Sequence, residues 1–150
     1  MKASSYEEQI IEILKKEKIK FQREKTFSDL KKGRYRFDFE IYLDGGPVLV
    51  EVQGQQHYEF VPKFHKSRMD FYAAQERDRK KINYCLAHNI PLYIIPYWEL
   101  DSIHCVADIL VPKFFTTSMW KNDVAWQNHR NLTCRPFHWY NIIEREKQKI

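Results

Sequence analysis

Apolar and polar residues alternate along the chain in three distinct rhythms. SSYEEQIIEILKKEKI carries Ile10, Ile11, Ile13 and Leu14 at helical spacing, with Ser4 or Ser5 placed to cap it and Glu7 or Glu8 placed to complete a capping box. YRFDFEIYL alternates strictly, putting Tyr35, Phe37, Phe39, Ile41 and Leu43 on one face and Arg36, Asp38 and Glu40 on the other. After the turn signal DGGP, VLVEVQ alternates again, with Val48, Val50 and Val52 opposed to Leu49, Glu51 and Gln53. FQREKTFSDLKKG predicts a short extended piece and a basic loop, and residues 59–75 a loop entering a helix. ERDRKKINYCLAHN predicts a helix ending near Asn89, and IPLYIIPYWEL a buried strand with Pro91 and Pro96 near its ends. The predicted order is α-β-β-(α)-α-β, a mixed sheet with flanking helices in the α/β or α+β class.

The hairpin is where chemistry enters. A two-residue turn at Gly45-Gly46 would pair Asp44 with Pro47, Glu40 with Glu51 and Asp38 with Gln53. Three acids and an amide would then share one face, with opposed Cβ atoms roughly 5 Å apart. Carboxylates that close repel unless a cation lies between them, and hard Mg²⁺ suits carboxylate oxygens while keeping waters of its own. Glu7 lies on the apolar side of the first helix; it is either a carboxylate aimed at whatever the helix covers or the capping-box acid of Ser4. His57 follows the acidic strand through GQQHY, and Asp78 opens the next predicted helix, where the macrodipole alone would favour an acid.

Composition adds a partner. The 150 residues suit one domain, with 1–100 as core and 101–150 as a C-terminal elaboration. Twenty-five Lys and Arg against 20 Asp and Glu give a net charge of +5, which points toward a polyanion. The bases cluster: KKGRYR holds Lys31, Lys32, Arg34 and Arg36, KFHKSR holds Lys63, Lys66 and Arg68, and the C-terminal region holds Lys121, Arg130 and Arg135 among amides. Trp120, Trp126, Phe137, Trp139 and Tyr140 are expected to build a core or a subunit interface. The three cysteines lack any CxxC spacing and suggest neither a disulfide framework nor a thiolate zinc site, and no apolar run is long enough to span a bilayer or lead export, so a cytoplasmic protein is expected.

Asp38, Glu51, Gln53 and the order of elements resemble the PD-(D/E)XK nuclease superfamily, built on a restriction-endonuclease-like α-β-β-β-α-β core. In that family an acid on the second strand and a (D/E)xK on the third hold the metal, and Asp38 and Glu51 match the two acids. Glu7 matches the helix-borne glutamate of many members. The backbone of Val52 would be a further metal ligand by the same resemblance, and Gln53 stands where lysine is expected. In character the chain is similar to small homing endonucleases of this fold, and related mismatch-repair-like members use residues matched by His57 and Asp78. The resemblance implies a Mg²⁺-dependent endonuclease, with Mn²⁺ as a substitute, that cuts double-stranded DNA as a dimer or tetramer. Glutamine brings no charge, so the stabilisation would shift to the metal or to Lys20, Lys31 or Arg36. The alternatives are a non-catalytic DNA-binding module on a degenerate nuclease scaffold, and a junction-resolving or mismatch-nicking nuclease.

Overall fold

The computed structural model describes residues 4–57, 59–110 and 115–116. Helix α1 spans Ser5–Lys16, followed by strands β1 (Lys20–Thr26), β2 (Arg36–Leu43) and β3 (Gly46–Gln53). Helix α2 (Arg68–Ala87) leads to β4 (Leu92–Pro96), a short α3 (Val106–Leu110) and β5 (Phe115–Thr116). The five strands form one sheet in sequence order, all neighbours antiparallel except the parallel β3–β4 pair, whose connection carries α2. The mixed sheet with flanking helices agrees with the expected class. The extended piece before the basic loop is a full strand, and the two helical segments expected between 59 and 89 are one 20-residue helix.

Each face of the sheet has its own core. Ile10, Leu14, Phe39, Ile41, Val50, Ile95, Val106 and Ile109 form one cluster under α1 and α3. Phe37, Leu49, Ile82, Cys85, Leu86 and Leu92 form the other under α2. The core thus continues past residue 100, through Ile103, Val106 and Ile109. Each fully buried aliphatic or aromatic side chain contributes about 1.5–3 kcal/mol of transfer free energy, so these two clusters fix the helices to the sheet. Ser4 caps α1 by accepting the Glu7 N–H at 3.2 Å, and Ser67 caps α2 by accepting the Asp70 N–H at 3.3 Å. Both helices close through a residue in the left-handed region, Lys18 (φ 58°) and Asn89 (φ 54°). The next N–H, of Ile19 and Ile90, returns to Leu14 and Cys85.

Two features of the hairpin depart from the sequence expectation. The turn residues are Asp44 and Gly45, because Leu43 pairs with Gly46 and Glu40 with Leu49. The left-handed position falls on Gly46 (φ 121°), where the missing Cβ removes the steric cost. Continued past its last pair, Phe39 with Val50, this register sets Asp38 across from Glu51 and not from Gln53. The second departure concerns facing. Phe37 packs under α2 while Phe39 and Ile41 pack under α1, although all three were expected on one face. Their β1 neighbours follow them, Phe27 against Phe37 and Phe21 against Phe39. Between them Glu24, across from Asp38, takes φ 55°, and both strands reverse their facing there.

Candidate active site

The carboxylates of β2 and β3 occupy the gap that opens where the ladder stops. The Val52 N–H donates to Asp38 Oδ2 at 2.8 Å, and the Asp38 N–H donates to Glu51 Oε1 at 2.9 Å. Each acid thereby takes the backbone donor that regular pairing would have used, in a charge-assisted bond. From α2, Lys81 Nζ reaches Glu51 Oε2 at 2.8 Å, and both side chains are nearly buried. Lys81 also lies 5.0 Å from the centre of the Phe37 ring, so the reversal of facing at Asp38 that seats Phe37 under α2 also supplies the wall against which the ammonium rests.

The charges do not balance. Burial first, and then the charge of Glu51, push the Asp38 carboxyl up to about 8, with Glu7 adding to the effect and the Val52 N–H and Lys81 opposing it. For Lys81 burial favours the neutral amine, but Glu51 and Asp78 outweigh it and raise its pKa. With both acids ionised the site would hold one negative charge more than Lys81 neutralises, so Asp38 keeps its proton up to about pH 8.

Glu7 divides its carboxylate between two partners. One oxygen, Oε1, accepts the Ser4 hydroxyl, and the other pairs with Arg23 at 3.1 Å, which leaves its charge close enough to act on Asp38. His57 Nδ1 donates to Asp78 Oδ2 at 2.7 Å. Burial opposes protonation of His57, yet the Asp78 charge and hydrogen bond, helped by Glu51, raise its pKa. Asp78 stands in the middle of α2, not at a helix start, so the macrodipole does not explain it. Gln53 is buried at 1% exposure in register with Pro96. Glu40 does not join the cluster: it pairs with Lys25 at 3.4 Å and accepts the Tyr42 hydroxyl at 2.6 Å.

A cleft of about 300 Å³ opens beside these groups, lined by Arg34, Arg36, Arg77, His57, Asp78 and Lys81. Arg34 comes from the basic loop singled out in the sequence, and Arg36 from the first position of β2, where it pairs with Glu24 at 3.3 Å. Lys31 and Lys32 are exposed on the same loop, with φ of 48° and 54°. Lys63, Lys66 and Arg68 are exposed around the start of α2, with Lys63 over Phe64 and Arg68 over Phe60. Lys121, Arg130 and Arg135, with the C-terminal tryptophans, lie outside the described residues. Sequence reasoning missed Lys81 and Arg77. A trace was present: Lys81 follows Asp78 by three residues and precedes Ile82, next to the buried stripe of α2.

The two acids fit a hard divalent cation. Burial and the Glu51 charge hold the Asp38 carboxyl in its protonated form, and a cation between the two acids would favour its ionisation. No group of three or more His, Cys, Asp or Glu side chains gathers among the described residues. Mg²⁺ needs only one or two carboxylates, because it keeps several waters.

No protein-family profile matches the chain. No solved structure matches it either. The chain is similar to uncharacterized protein 307L of Invertebrate iridescent virus 6, 36% identical over 71 residues covering 47% of this chain and 36% of the relative. It is also similar to uncharacterized protein 094L of Frog virus 3 (isolate Goorha), 38% identical over 65 residues covering 43% of this chain and 42% of the relative. The matched segments span less than half the length of either relative. No described helix is long and apolar enough to cross a membrane.

Proposed function

We propose that the protein is a metal-dependent DNA endonuclease of the restriction-endonuclease-like type, with its centre at Asp38, Glu51 and Lys81. The observation that carries this is the convergence of two carboxylates, wedged between parting strands, with a lysine from the following helix 2.8 Å from Glu51. The order α1-β1-β2-β3-α2-β4 is that of the resembled unit, with the two acids on its second and third strands. Lys81 supports the reading at its weakest point, because it brings to the site the positive charge that Gln53 lacks.

Asp38 and Glu51 would hold Mg²⁺, which when bound supplies Lewis-acid charge and an ionisable water. The protein's own groups do the rest. Lys81 places positive charge where the phosphate gathers negative charge in the transition state. Arg34, Arg36 and Arg77 hold the neighbouring phosphates, and Glu7 with Arg23 sets the charge around Asp38. One chain carries one centre, so a double-strand break takes two copies, related by symmetry in a homo-oligomer.

The test is incubation of supercoiled DNA with the purified protein, in Mg²⁺ and in EDTA. Nicked or linear product only with Mg²⁺, lost in Asp38→Ala, supports the proposal; absence of cleavage by folded protein on plasmid, junction and mismatch substrates removes it. One observation favours a non-catalytic DNA-binding module instead: backbone N–H groups and Lys81 already satisfy three of the four carboxylate oxygens. That version predicts DNA binding without any Ca²⁺ or Mg²⁺ affinity dependent on Asp38 in calorimetry.

A further inference from the structure

Next to the cationic cleft lies a second open cavity of about 340 Å³, with Gln56, Phe64, His65, Ala73 and Arg77 among its walls. The two cavities share His57, Ala74 and Arg77, so they are adjoining chambers of one groove along α2. Their linings differ. The cleft beside Lys81 is dominated by cations suited to phosphate, whereas the second offers an aromatic ring, alanines, an amide, two imidazoles and the Asp70 carboxylate, which accepts the Lys66 N–H at 3.0 Å. Its volume lies at the lower end of small-ligand pockets, which run from about 300 Å³ upward.

One wall of the second cavity is fixed. His65 is 5% exposed, its ring set between Phe60 and Phe71. The Val61 N–H donates to His65 Nδ1 at 3.0 Å, so the ring proton sits on Nε2. Phe64, by contrast, is 58% exposed at the rim, and Met69, at the second position of α2, is 73% exposed. Large apolar groups at that exposure, set among Lys63, Lys66 and Arg68, are poorly placed for a core and well placed for a planar group carried on a polyanion.

Resting on the nuclease reading, we propose that this cavity receives one unstacked base of the bound DNA, while Arg77 and the adjoining cleft hold that nucleotide's phosphate. The favoured substrate is then DNA with an unpaired nucleotide beside the cut, because a paired base must first be pulled from its stack. Phe64 gives the base a stacking surface, and His65 Nε2 and the Gln56 amide give it hydrogen-bond partners.

The full chain in Ca²⁺ buffer is titrated into two end-labelled duplexes of equal length, one fully paired and one with a single-base bulge, and anisotropy is read. The bulged duplex should bind about tenfold or more tightly, as loss of one base–aromatic stack would imply. Phe64→Ala, at an exposed position, and Ala73→Trp, which fills the cavity from the exposed side of α2, should remove the preference and leave affinity for the paired duplex within about twofold. Equal binding of both duplexes, or a preference that survives both substitutions, overturns the base site alone. Failure to bind either duplex overturns it together with the nucleic-acid reading on which it rests.

Discussion

Replacing Asp38 with asparagine should stabilise the protein above neutral pH while removing the proposed chemistry. Burial and the Glu51 charge hold this carboxyl at about 8 in the folded protein, against 3.8 for an ordinary aspartate. Between those values the folded state binds a proton that the unfolded state has released. The stability it contributes is therefore fully present below about pH 4 and is lost as pH rises toward 8, by roughly 1.4 kcal/mol per pH unit at most. Asparagine keeps an oxygen for the Val52 N–H and carries no charge. Between pH 5 and pH 8 the limiting loss is about 4 kcal/mol, which water entry and local relaxation reduce to about 1–3 kcal/mol. Urea unfolding of both proteins at pH 5 and pH 8, in EDTA, reads it directly. The variant should gain on the parent by about 1–3 kcal/mol between the two pH values, and excess Mg²⁺ should narrow the gap by neutralising Asp38. Parallel stability curves, or a gap that moves in favour of the parent as pH rises, would refute the argument that burial and the Glu51 charge keep Asp38 protonated in the folded site.

Lys81→Met leaves Glu51 buried without its partner and should cost about 3–5 kcal/mol in the same unfolding assay, with Lys81→Arg recovering part of it. Asp78→Asn removes the charge that offsets burial at His57, so the imidazole pKa, followed by NMR titration, should fall from above its ordinary value. The stability contributed by the His57–Asp78 pair, present below the ordinary histidine pKa and lost as pH rises through the raised folded value, should vanish in that variant. Phe37→Ala, at a fully buried ring, should cost about 3–5 kcal/mol and also loosen Lys81, which rests against that ring.

The elements legible in the sequence are those whose buried face is apolar and regular. α1 and the β2–β3 hairpin show their period plainly, and the acids of the site stood out because they interrupt it. The turn was displaced by one residue, since Asp44-Gly45 and Gly45-Gly46 both offer a permissive loop. The register consequently moved by two, which preserves facing, so Asp38 and Glu51 stayed together; a shift of one would have separated them. The first half of α2 was obscure for the opposite reason. Its buried stripe contains Gln75, Asp78 and Arg79, polar groups that a helical pattern assigns to solvent. Lys81 was hidden by the same logic, as one base in RDRKKIN. The reversal of facing at Asp38 could not be seen either, because it depends on a left-handed Glu24 on the neighbouring strand. Local pattern fails here where charge is buried, and that is where the candidate site lies.

The central claim is that Asp38, Glu51 and Lys81 act as one metal-dependent hydrolytic centre. Its most direct test is the single-turnover cleavage rate on supercoiled DNA in Mg²⁺ for the parent, Asp38→Asn and Lys81→Met, with Glu40→Gln as a control outside the cluster. The account predicts that both site variants fall at least a hundredfold, roughly the loss of one transition-state charge contact, while Glu40→Gln stays within a few-fold of the parent. Cleavage by Asp38→Asn at the parental rate would contradict it.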